Sequence, residues 1–371
     1  MRSITILCIV LIIYLALLFR KRTSFVKLLE RATKIQLEEN RCYECIDDGK
    51  LAYNAIYRFN ADYCVIAGDI RGCLPSLLIC IDKYKSFKKK YPSAHIIFLG
   101  DYVGGGICSV ECLECLLRLK LQDPLYVHLL RGNHEDVEMW LIDEPAERSV
   151  YPELRDRYGD ERANTIYKAV GAFYASLPPI AIINNNILCC HGMINDKVKK
   201  DSKIKLTPTI INNKFLSCIT WSNYPAPVCE MREYGRSCGD ITPRELLQKC
   251  NELRITKLIK GHDYSGAGNA LYGSGVEVHI VNSSLWKLKR TPEFYIYTDS
   301  TSPPTKTKRT KPVLPNCLFL RDNIISTSPF LECQDQIYMY LLSKRMQKEF
   351  GLSLEQAKQA IDEALRVPHS L

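Results

Sequence analysis

The sequence predicts an α/β fold in which short strands and helices alternate along the chain. Two observations support this prediction: apolar runs of four or five residues recur, and helix-compatible segments separate them. Strands interleaved with helices imply a layered α/β architecture. The composition permits such a fold, because 46% hydrophobic and 25% charged residues are ordinary for a globular protein and exclude disorder, collagen and coiled coil.

The apolar runs each deliver a polar side chain at their carboxyl end. Asp69 follows the run at 63–67, and Asp101 follows the run at 95–99. Asn133 and His134 follow the run at 126–130, His191 follows a hairpin at 180–190, and His262 follows the run at 258–260. Ligands of α/β sheets gather beyond the carboxyl ends of the strands. A purely structural core has no need of a metal-competent residue at every strand end, so the pattern predicts a functional site.

Charge and cysteine content narrow the class of protein. The formal net charge is +9, but the basic residues form no sustained face, so we expect no nucleic-acid partner. The 17 cysteines are odd in number and often lie inside apolar runs, which favours reduced, buried thiols in a cytosolic domain. Cys42 with Cys45, and Cys112 with Cys115, form lone CxxC pairs that give little support for a metal or redox site.

The N-terminus carries an uncharged apolar stretch at residues 4–19. As a helix, this stretch would span about 24 Å, slightly less than the ~30 Å hydrocarbon core. A cleaved signal peptide and a buried core helix are the alternatives. Ala16 is the only small residue near the end of the stretch and cations follow directly, so we predict a transmembrane anchor. The cations of the basic, helical connector at 20–40 place the rest of the chain in the cytosol.

The amino-acid composition changes in the C-terminal part of the sequence. Residues 300–316 are rich in proline and lysine and predict an extended linker. Its basic run is either simply solvated or binds a membrane surface or a partner. Residues 317–371 predict a helical C-terminal extension, because residues 353–365 combine a capping box with one apolar stripe.

Aspartate, histidine and asparagine in this number are the ligand set of two divalent cations that share a bridging carboxylate. Such a pair suits hydrolysis of a phosphate ester, because one metal makes hydroxide available and both stabilise the in-line transition state. The residues alone therefore favour a metal-dependent phosphoesterase.

The motifs resemble, in order, those of the PPP-family protein serine/threonine phosphatases of the type 1/type 2A kind. They are GDIRGC at 68–73, GDYVGGG at 100–106, RGNHE at 131–135, CCHGM at 189–193 and IKGHD at 259–263. The resemblance implies a calcineurin-like metallophosphoesterase domain over residues 41–299, folded as a β-sandwich flanked by helices. It also implies a bound divalent metal, either manganese, iron or zinc, as one or two ions.

The resemblance implies a role for each matching residue. Asp69 matches a ligand of the first metal, and Asp101 matches the carboxylate that bridges both metals. The remaining second-metal ligands correspond to Asn133, His191 and His262. His134 matches the general acid, and Arg232 matches a phosphate-binding arginine.

Four departures from the family pattern affect the catalytic shell. Arg71 stands where the family has a first-metal histidine, and a guanidinium has no lone pair for a cation. Gly104 and Gly105 replace an aspartate that orients the general acid and an arginine that binds phosphate. Trp286 replaces a late tyrosine. Arg71 either points to solvent or substitutes for the charge of the first cation.

Two hypotheses follow. The chain is either a weakened protein phosphatase or a membrane-tethered pseudophosphatase that keeps the fold without turnover, and the departures favour the second. In both cases the expected partners are a phosphoprotein substrate or ligand, a regulatory subunit and a membrane contacted through the N-terminal helix.

Overall fold

The computed structural model describes residues 24–45, 51–106, 108–138, 149–194, 198–210, 213–222, 243–262, 269–271, 276–281, 283, 293–296, 305–308 and 316–329. The predicted anchor at 4–19 and most of the predicted C-terminal extension lie outside these residues. No helix within the described ranges is long and apolar enough to cross a membrane. The anchor therefore stays a prediction.

One face of the fold is a five-stranded sheet. Its strands are β4 (Tyr63–Ala67), β5 (His95–Phe98), β6 (Val127–Leu129), β15 (Asn316–Arg321) and β16 (Ile324–Pro329), in the order β16-β15-β4-β5-β6. Strands β4, β5 and β6 run parallel to one another. Strand β15 pairs antiparallel with β4, and β16 pairs antiparallel with β15. The three predicted strands of this sheet are confirmed.

The second sheet has six strands of order β11-β12-β10-β8-β7-β3. They are β3 (Ile56–Phe59), β7 (Ile180–Ile183), β8 (Ile187–Cys190), β10 (Lys257–Lys260), β11 (Asn269–Leu271) and β12 (Glu277–Ile280). The predicted hairpin is confirmed as β7 and β8, which pair antiparallel across a turn where Asn184 and Asn185 adopt positive φ. Asparagine tolerates that region better than most residues.

Shorter pairings and the helices complete the described part of the chain. Strands β1 (Arg41–Cys45), β2 (Leu51–Asn54) and β9 (Lys203–Ile204) form a small sheet, and β13 (Glu293–Ile296) pairs with β14 (Thr305–Lys308). The helices are α1 (Phe25–Asn40), α2 (Leu74–Lys90), α3 (Ser109–Gln122), α4 (Tyr151–Tyr158), α5 (Asp160–Ser176), α6 (Lys214–Trp221) and α7 (Pro243–Leu253).

The two large sheets pack face to face as a sandwich. Alternate side chains of β4 show this, since Cys64 and Ile66 join the cluster between the sheets whereas Val65 and Ala67 face the helices. Because a parallel strand inside such a sandwich is buried on both faces, its sequence is a continuous apolar run. The predicted α/β sandwich flanked by helices is confirmed for the described residues.

Helix α1 packs onto the domain as an integral part of it. Leu28, Leu29 and Ala32 are buried in the core between the five-stranded sheet and its helices. The fully buried Lys120 on α3 donates to both carboxylate oxygens of Glu39 at 2.6 and 2.8 Å. Residues 25–40 of the predicted 20–40 connector are helical in the structure, and this ion pair joins α1 to α3.

The predicted boundaries of the C-terminal part are wrong where the structure describes it. Residues 305–308, inside the predicted linker, pair as a strand with residues 293–296. The predicted helical extension from residue 317 begins instead with the β15–β16 hairpin. Asp322 and Asn323 have φ of 49° and 63°, as a two-residue hairpin turn requires. The apolar strand Cys317–Leu320 then covers the edge of β4, so the domain does not end at residue 299.

The position of the hairpin gives a stability prediction. Leu320 is fully buried between the sheets, whereas Ile324 on the same hairpin is 71% exposed. We expect Leu320→Ala to lower the free energy of unfolding by about 2–5 kcal/mol through lost burial and cavity formation. The control Ile324→Ala should change it by less than about 0.5 kcal/mol. Urea denaturation followed by circular dichroism measures both, and equal small losses would contradict the placement of the hairpin in the core.

Candidate metal and catalytic site

The predicted site residues that the structure describes converge at one edge of the sandwich. Each of them follows the carboxyl end of a strand: Asp69 after β4, Asp101 after β5, Asn133 and His134 after β6, His191 after β8 and His262 after β10. Backbone packing brings the loops together. A Cβ on Gly100 would lie 2.2 Å from the Gly132 nitrogen, so only glycine allows this contact between the β5 and β6 loops.

Four of these residues surround a single point. The ligand atoms of Asp101, His191 and His262 lie within 4.8 Å of one another. The Asn133 side-chain oxygen is 2.9 Å from Nε2 of His191 and 3.0 Å from Nδ1 of His262. Nε2 of His191 is 3.3 Å from a carboxylate oxygen of Asp101. Ligands bonded at about 2.1 Å to one ion are separated by roughly 3.0–3.4 Å, so the set fits one divalent metal.

The chemistry of this donor set also favours a cation. With its oxygen directed into the site, the Asn133 amide faces only acceptor groups. Turned over, its NH2 group would donate to Asp101, His191 and His262, so hydrogen bonding alone favours that second orientation. A bound cation makes the first orientation favourable, because the amide oxygen then becomes a ligand beside the imidazoles and the carboxylate.

The histidine rings are held ready for ligation. Nδ1 of His191 lies 3.1 Å from the Leu99 carbonyl oxygen. Donation from Nδ1 to this carbonyl leaves the Nε2 lone pair directed into the site, as metal-binding histidines require. Burial lowers the pKa of His191, but the Asp101 carboxylate outweighs this effect and the net shift is upward. Burial and then the neighbouring His191 hold the pKa of His262 well below its usual value.

Arg71 lies next to this cluster, at the position where the resemblance predicts the first metal. The side chain turns inward and only 6% of the residue is exposed, so the alternative that it points to solvent is wrong. Its Nε is 3.2 Å from the Asp69 carboxylate, and its Nη2 is 2.6 Å from the Asp101 carboxylate. The guanidinium therefore bridges the two carboxylates that the resemblance assigns to the first metal.

The same guanidinium sets the electrostatics of the site. Burial alone would raise the pKa of Asp101, but Arg71, followed by His191 and His134, holds it well below the usual range. Asp69 also accepts the backbone N–H of His262 at 3.0 Å. Donors of this chain thus contact both aspartates, and for Asp101 they favour the ionised carboxylate.

His134, the candidate general acid, also contacts Arg71. Its backbone N–H donates to Asp101 at 2.9 Å, and its Nε2 lies against Nη1 of Arg71. A guanidinium nitrogen can only donate, so Nε2 must accept and the ring proton sits on Nδ1. In this arrangement Nε2 carries no proton to give to a leaving group.

The two replaced positions of the GDYVGGG motif lie in the loop beside Arg71. Gly104 and Gly105 have φ of 80° and 111°, a backbone region that other residues adopt only with strain. The positive φ angles mean that this loop conformation suits glycine. Neither glycine offers a carboxylate to orient His134 or a guanidinium to bind phosphate.

A buried carboxylate that the sequence patterns did not single out, that of Glu135, holds the loops together. Glu135 accepts backbone N–H groups from Asp101 at 2.7 Å, Tyr102 at 2.9 Å and Gly132 at 2.9 Å. Burial and then the Asp101 charge raise the pKa of Glu135 to about 7. The sequence offered one indication of its importance, because Glu135 ends the RGNHE motif directly after Asn133 and His134. Arg232 and Trp286 lie outside the described residues, so their predicted roles stay predictions.

Comparison with known proteins agrees with this geometry. The family model of the calcineurin-like phosphoesterases matches residues 64–265. A serine/threonine-protein phosphatase PP2A-like PPG1 of Candida albicans is 25% identical over 214 residues, which are 57% of this chain and 49% of that protein. This chain thus covers about half the length of that curated relative.

A solved structure shares the fold. A protein serine/threonine phosphatase from Saccharomyces cerevisiae with similarity to human phosphatase PP5 superposes with a TM-score of 0.56 at 15% identity. The match covers 83% of this chain and 90% of that one. At this identity the likeness concerns the fold alone.

The site geometry predicts the number of bound ions. After dialysis in manganese, the chain should retain one ion, held by Asp101, Asn133, His191 and His262, because Arg71 blocks the neighbouring position. Arg71→His removes the guanidinium and supplies a ligand, so we expect two ions per chain. Histidine is also among the residues that tolerate the positive φ of 56° at this position.

Elemental analysis of the purified protein measures these ratios. Arg58→His is the matched control, because Arg58 is exposed and its guanidinium donates to the Lys200 carbonyl at 3.2 Å, which is not part of the site. It should retain one ion. Two ions in the unaltered protein would show that Arg71 does not close the first position.

Proposed function

Because this chain belongs to the calcineurin-like phosphoesterase family, we propose that it is a protein serine/threonine phosphatase-like protein that binds phosphorylated side chains and hydrolyses them poorly. In this proposal it is a pseudophosphatase with one metal position. The observation that carries the proposal is the buried Arg71 guanidinium between Asp69 and Asp101.

Arg71 and a first-site cation would compete for the same two carboxylates. A guanidinium stays protonated at any ordinary pH and offers no lone pair to a metal. Like charges a few ångströms apart repel strongly where water is largely excluded. Entry of a cation would therefore require Arg71 to leave both Asp69 and Asp101, and this loss opposes metal binding at the first position.

The second position supports metal binding by this chain. Asp101, Asn133, His191 and His262 would hold the ion, and a divalent ion there would supply a water of lowered pKa and positive charge for phosphate oxygens. Arg71 adds a fixed positive charge beside it, which suits retention of a phosphate group through charge-assisted hydrogen bonds. Phosphate capture then needs no second ion.

The leaving-group step is where this chain is weakest. Hydrolysis of a phosphoserine requires a proton for the departing alkoxide. The contact with Arg71 keeps Nε2 of His134 as an acceptor, and Gly104 provides no carboxylate to reorient the ring. Capture without efficient turnover is the behaviour that these residues support.

A second candidate function is an active, membrane-anchored serine/threonine phosphatase with a compensated active site. The complete second ligand set favours it, because that cluster needs no further residue to bind an ion. Arg71 would then act as a phosphate-binding group in place of the residue lost at Gly105. The two functions differ in turnover, which can be measured directly.

The proposal includes partners and location. From the sequence, we propose that residues 4–19 anchor the chain in a membrane with the phosphatase-like domain in the cytosol, and that a phosphoprotein and a regulatory subunit are its partners. The apolar stretch and the cations that follow it support the anchoring.

Turnover of a phosphoserine peptide tests the proposal. We expect kcat/KM of the detergent-purified chain with added manganese to lie at least about a hundredfold below that of an intact family member. Arg71→His should raise kcat/KM at least about tenfold by opening the first metal position, whereas Arg58→His should leave it unchanged. Activity equal to the family in the unaltered chain would support the second candidate and contradict the first.

Binding of the same peptide tests the capture part of the proposal. The phosphorylated peptide should bind at least about tenfold more tightly than its unphosphorylated counterpart, because the added affinity comes from charge-assisted contacts to the phosphate. Fluorescence anisotropy measures both affinities, and the unphosphorylated peptide is the matched control. Equal affinity for the two peptides would contradict a role in phosphate capture.

A further inference from the structure

Two cysteines stand at the N-terminal ends of the helices that follow the Arg71 loop and the glycine loop. Cys73 is the residue before α2, and Cys108 is the residue before α3. Cys73 is 2% exposed, whereas Cys108 is half-buried. The described cysteines are thiols, not disulfides. Neither residue has a role in the metal site or in the proposed catalysis.

The backbone brings the two loops into direct contact at these cysteines. The N–H of Cys108 donates to the Gly72 carbonyl at 3.1 Å, and the N–H of Gly106 donates to the Arg71 carbonyl at 2.6 Å. A Cβ on Gly106 would lie 2.4 Å from the Gly72 oxygen. Cys108 makes one of these contacts itself, and Cys73 directly follows Gly72, the residue that accepts it.

The surroundings of the thiols distinguish Cys73 and Cys108 from the cysteines further along α3. Burial, and then the neighbouring thiols of Cys108, Cys73 and Cys115, raise the pKa of Cys112 well above its usual value. Cys112 is therefore a poor nucleophile. Cys73 instead accepts a hydrogen bond from the Ser76 hydroxyl at 3.0 Å, and the helix ends favour negative charge at both Cys73 and Cys108.

We propose that Cys73 and Cys108 form an oxidation site in which a hydroperoxide converts the two thiols into a disulfide. The thiolate of Cys108, the more exposed of the two, attacks the peroxide oxygen and becomes a sulfenic acid while the peroxide is reduced to water or an alcohol. The Cys73 sulfur then attacks the Cys108 sulfur, and water leaves. The two thiols lose two electrons and two protons in total.

The disulfide would fix the state of the neighbouring metal position, and this consequence rests on the proposed function of Arg71. Arg71 lies two residues before Cys73, and its carbonyl accepts from the loop that leads to Cys108. A covalent tie between the two loops opposes any movement that would withdraw the guanidinium from Asp69 and Asp101. Oxidation would thus hold the protein in its one-metal form.

The test uses the full chain, purified in detergent, with hydrogen peroxide as the probe. Differential alkylation and peptide mass spectrometry should detect a Cys73–Cys108 link that dithiothreitol reverses. Hydrogen exchange at the amides of Gly106 and Cys108 should be at least about tenfold slower in the oxidised protein, because the link suppresses local opening of their hydrogen bonds.

Three cysteine variants complete the test, and Cys115→Ser is the matched control among them. Cys108→Ser should abolish the link while the helix is retained, since serine is a favourable N-cap residue. Cys115→Ser, a buried change on the same helix, should leave the link intact. In Cys73→Ser, a sulfenic acid should accumulate on Cys108, where dimedone traps it.

A link from Cys108 to Cys112, absence of any link after peroxide treatment, or unchanged amide exchange would each overturn the proposal. These readouts need neither metal nor turnover. Full phosphatase activity together with a Cys73–Cys108 link would therefore contradict the proposed function and leave the oxidation site standing. Low phosphatase activity without the link would contradict the oxidation site and leave the proposed function standing.

Discussion

The ion pairs of Arg71 with Asp69 and Asp101 determine the character of the whole active-site edge. Both carboxylates are almost completely buried, and Asp101 is also placed to bind the second ion. A buried carboxylate without a partner costs several kcal/mol, so this edge needs compensating positive charge before it can form. Here one guanidinium of the chain itself supplies positive charge to both carboxylates.

The Arg71 guanidinium also affects the candidate general acid, His134. By donating to Nε2 of His134, the guanidinium fixes the ring as an acceptor at the atom from which a leaving group would take its proton. Glu135 holds the β5 and β6 loops together through three backbone N–H groups, which fixes the positions of Asp101 and His134 relative to Arg71. In the proposed function, the closed first metal position and the missing proton on Nε2 of His134 both follow from the contacts of Arg71.

The alternation of apolar runs with helical segments allowed the α/β fold to be predicted. The second ligand set followed from the resemblance of the motifs to the PPP family, and the structure brings its four members together. It did not decide the direction of Arg71, since an arginine beside a site can extend to solvent as readily as inward. That choice depends on Asp69 and Asp101 being brought together by separate strands. The β15–β16 hairpin was missed because the apolar run at 317–320 was grouped with the helical pattern further along, and its partner strand β4 is more than 240 residues away.

Anomalous diffraction from crystals grown with manganese would show whether Arg71 closes the first metal position. We expect one anomalous peak among Asp101, Asn133, His191 and His262, with the Arg71 guanidinium between the carboxylates of Asp69 and Asp101. Two peaks about 3.5–4 Å apart, with Arg71 displaced from both carboxylates, would contradict it.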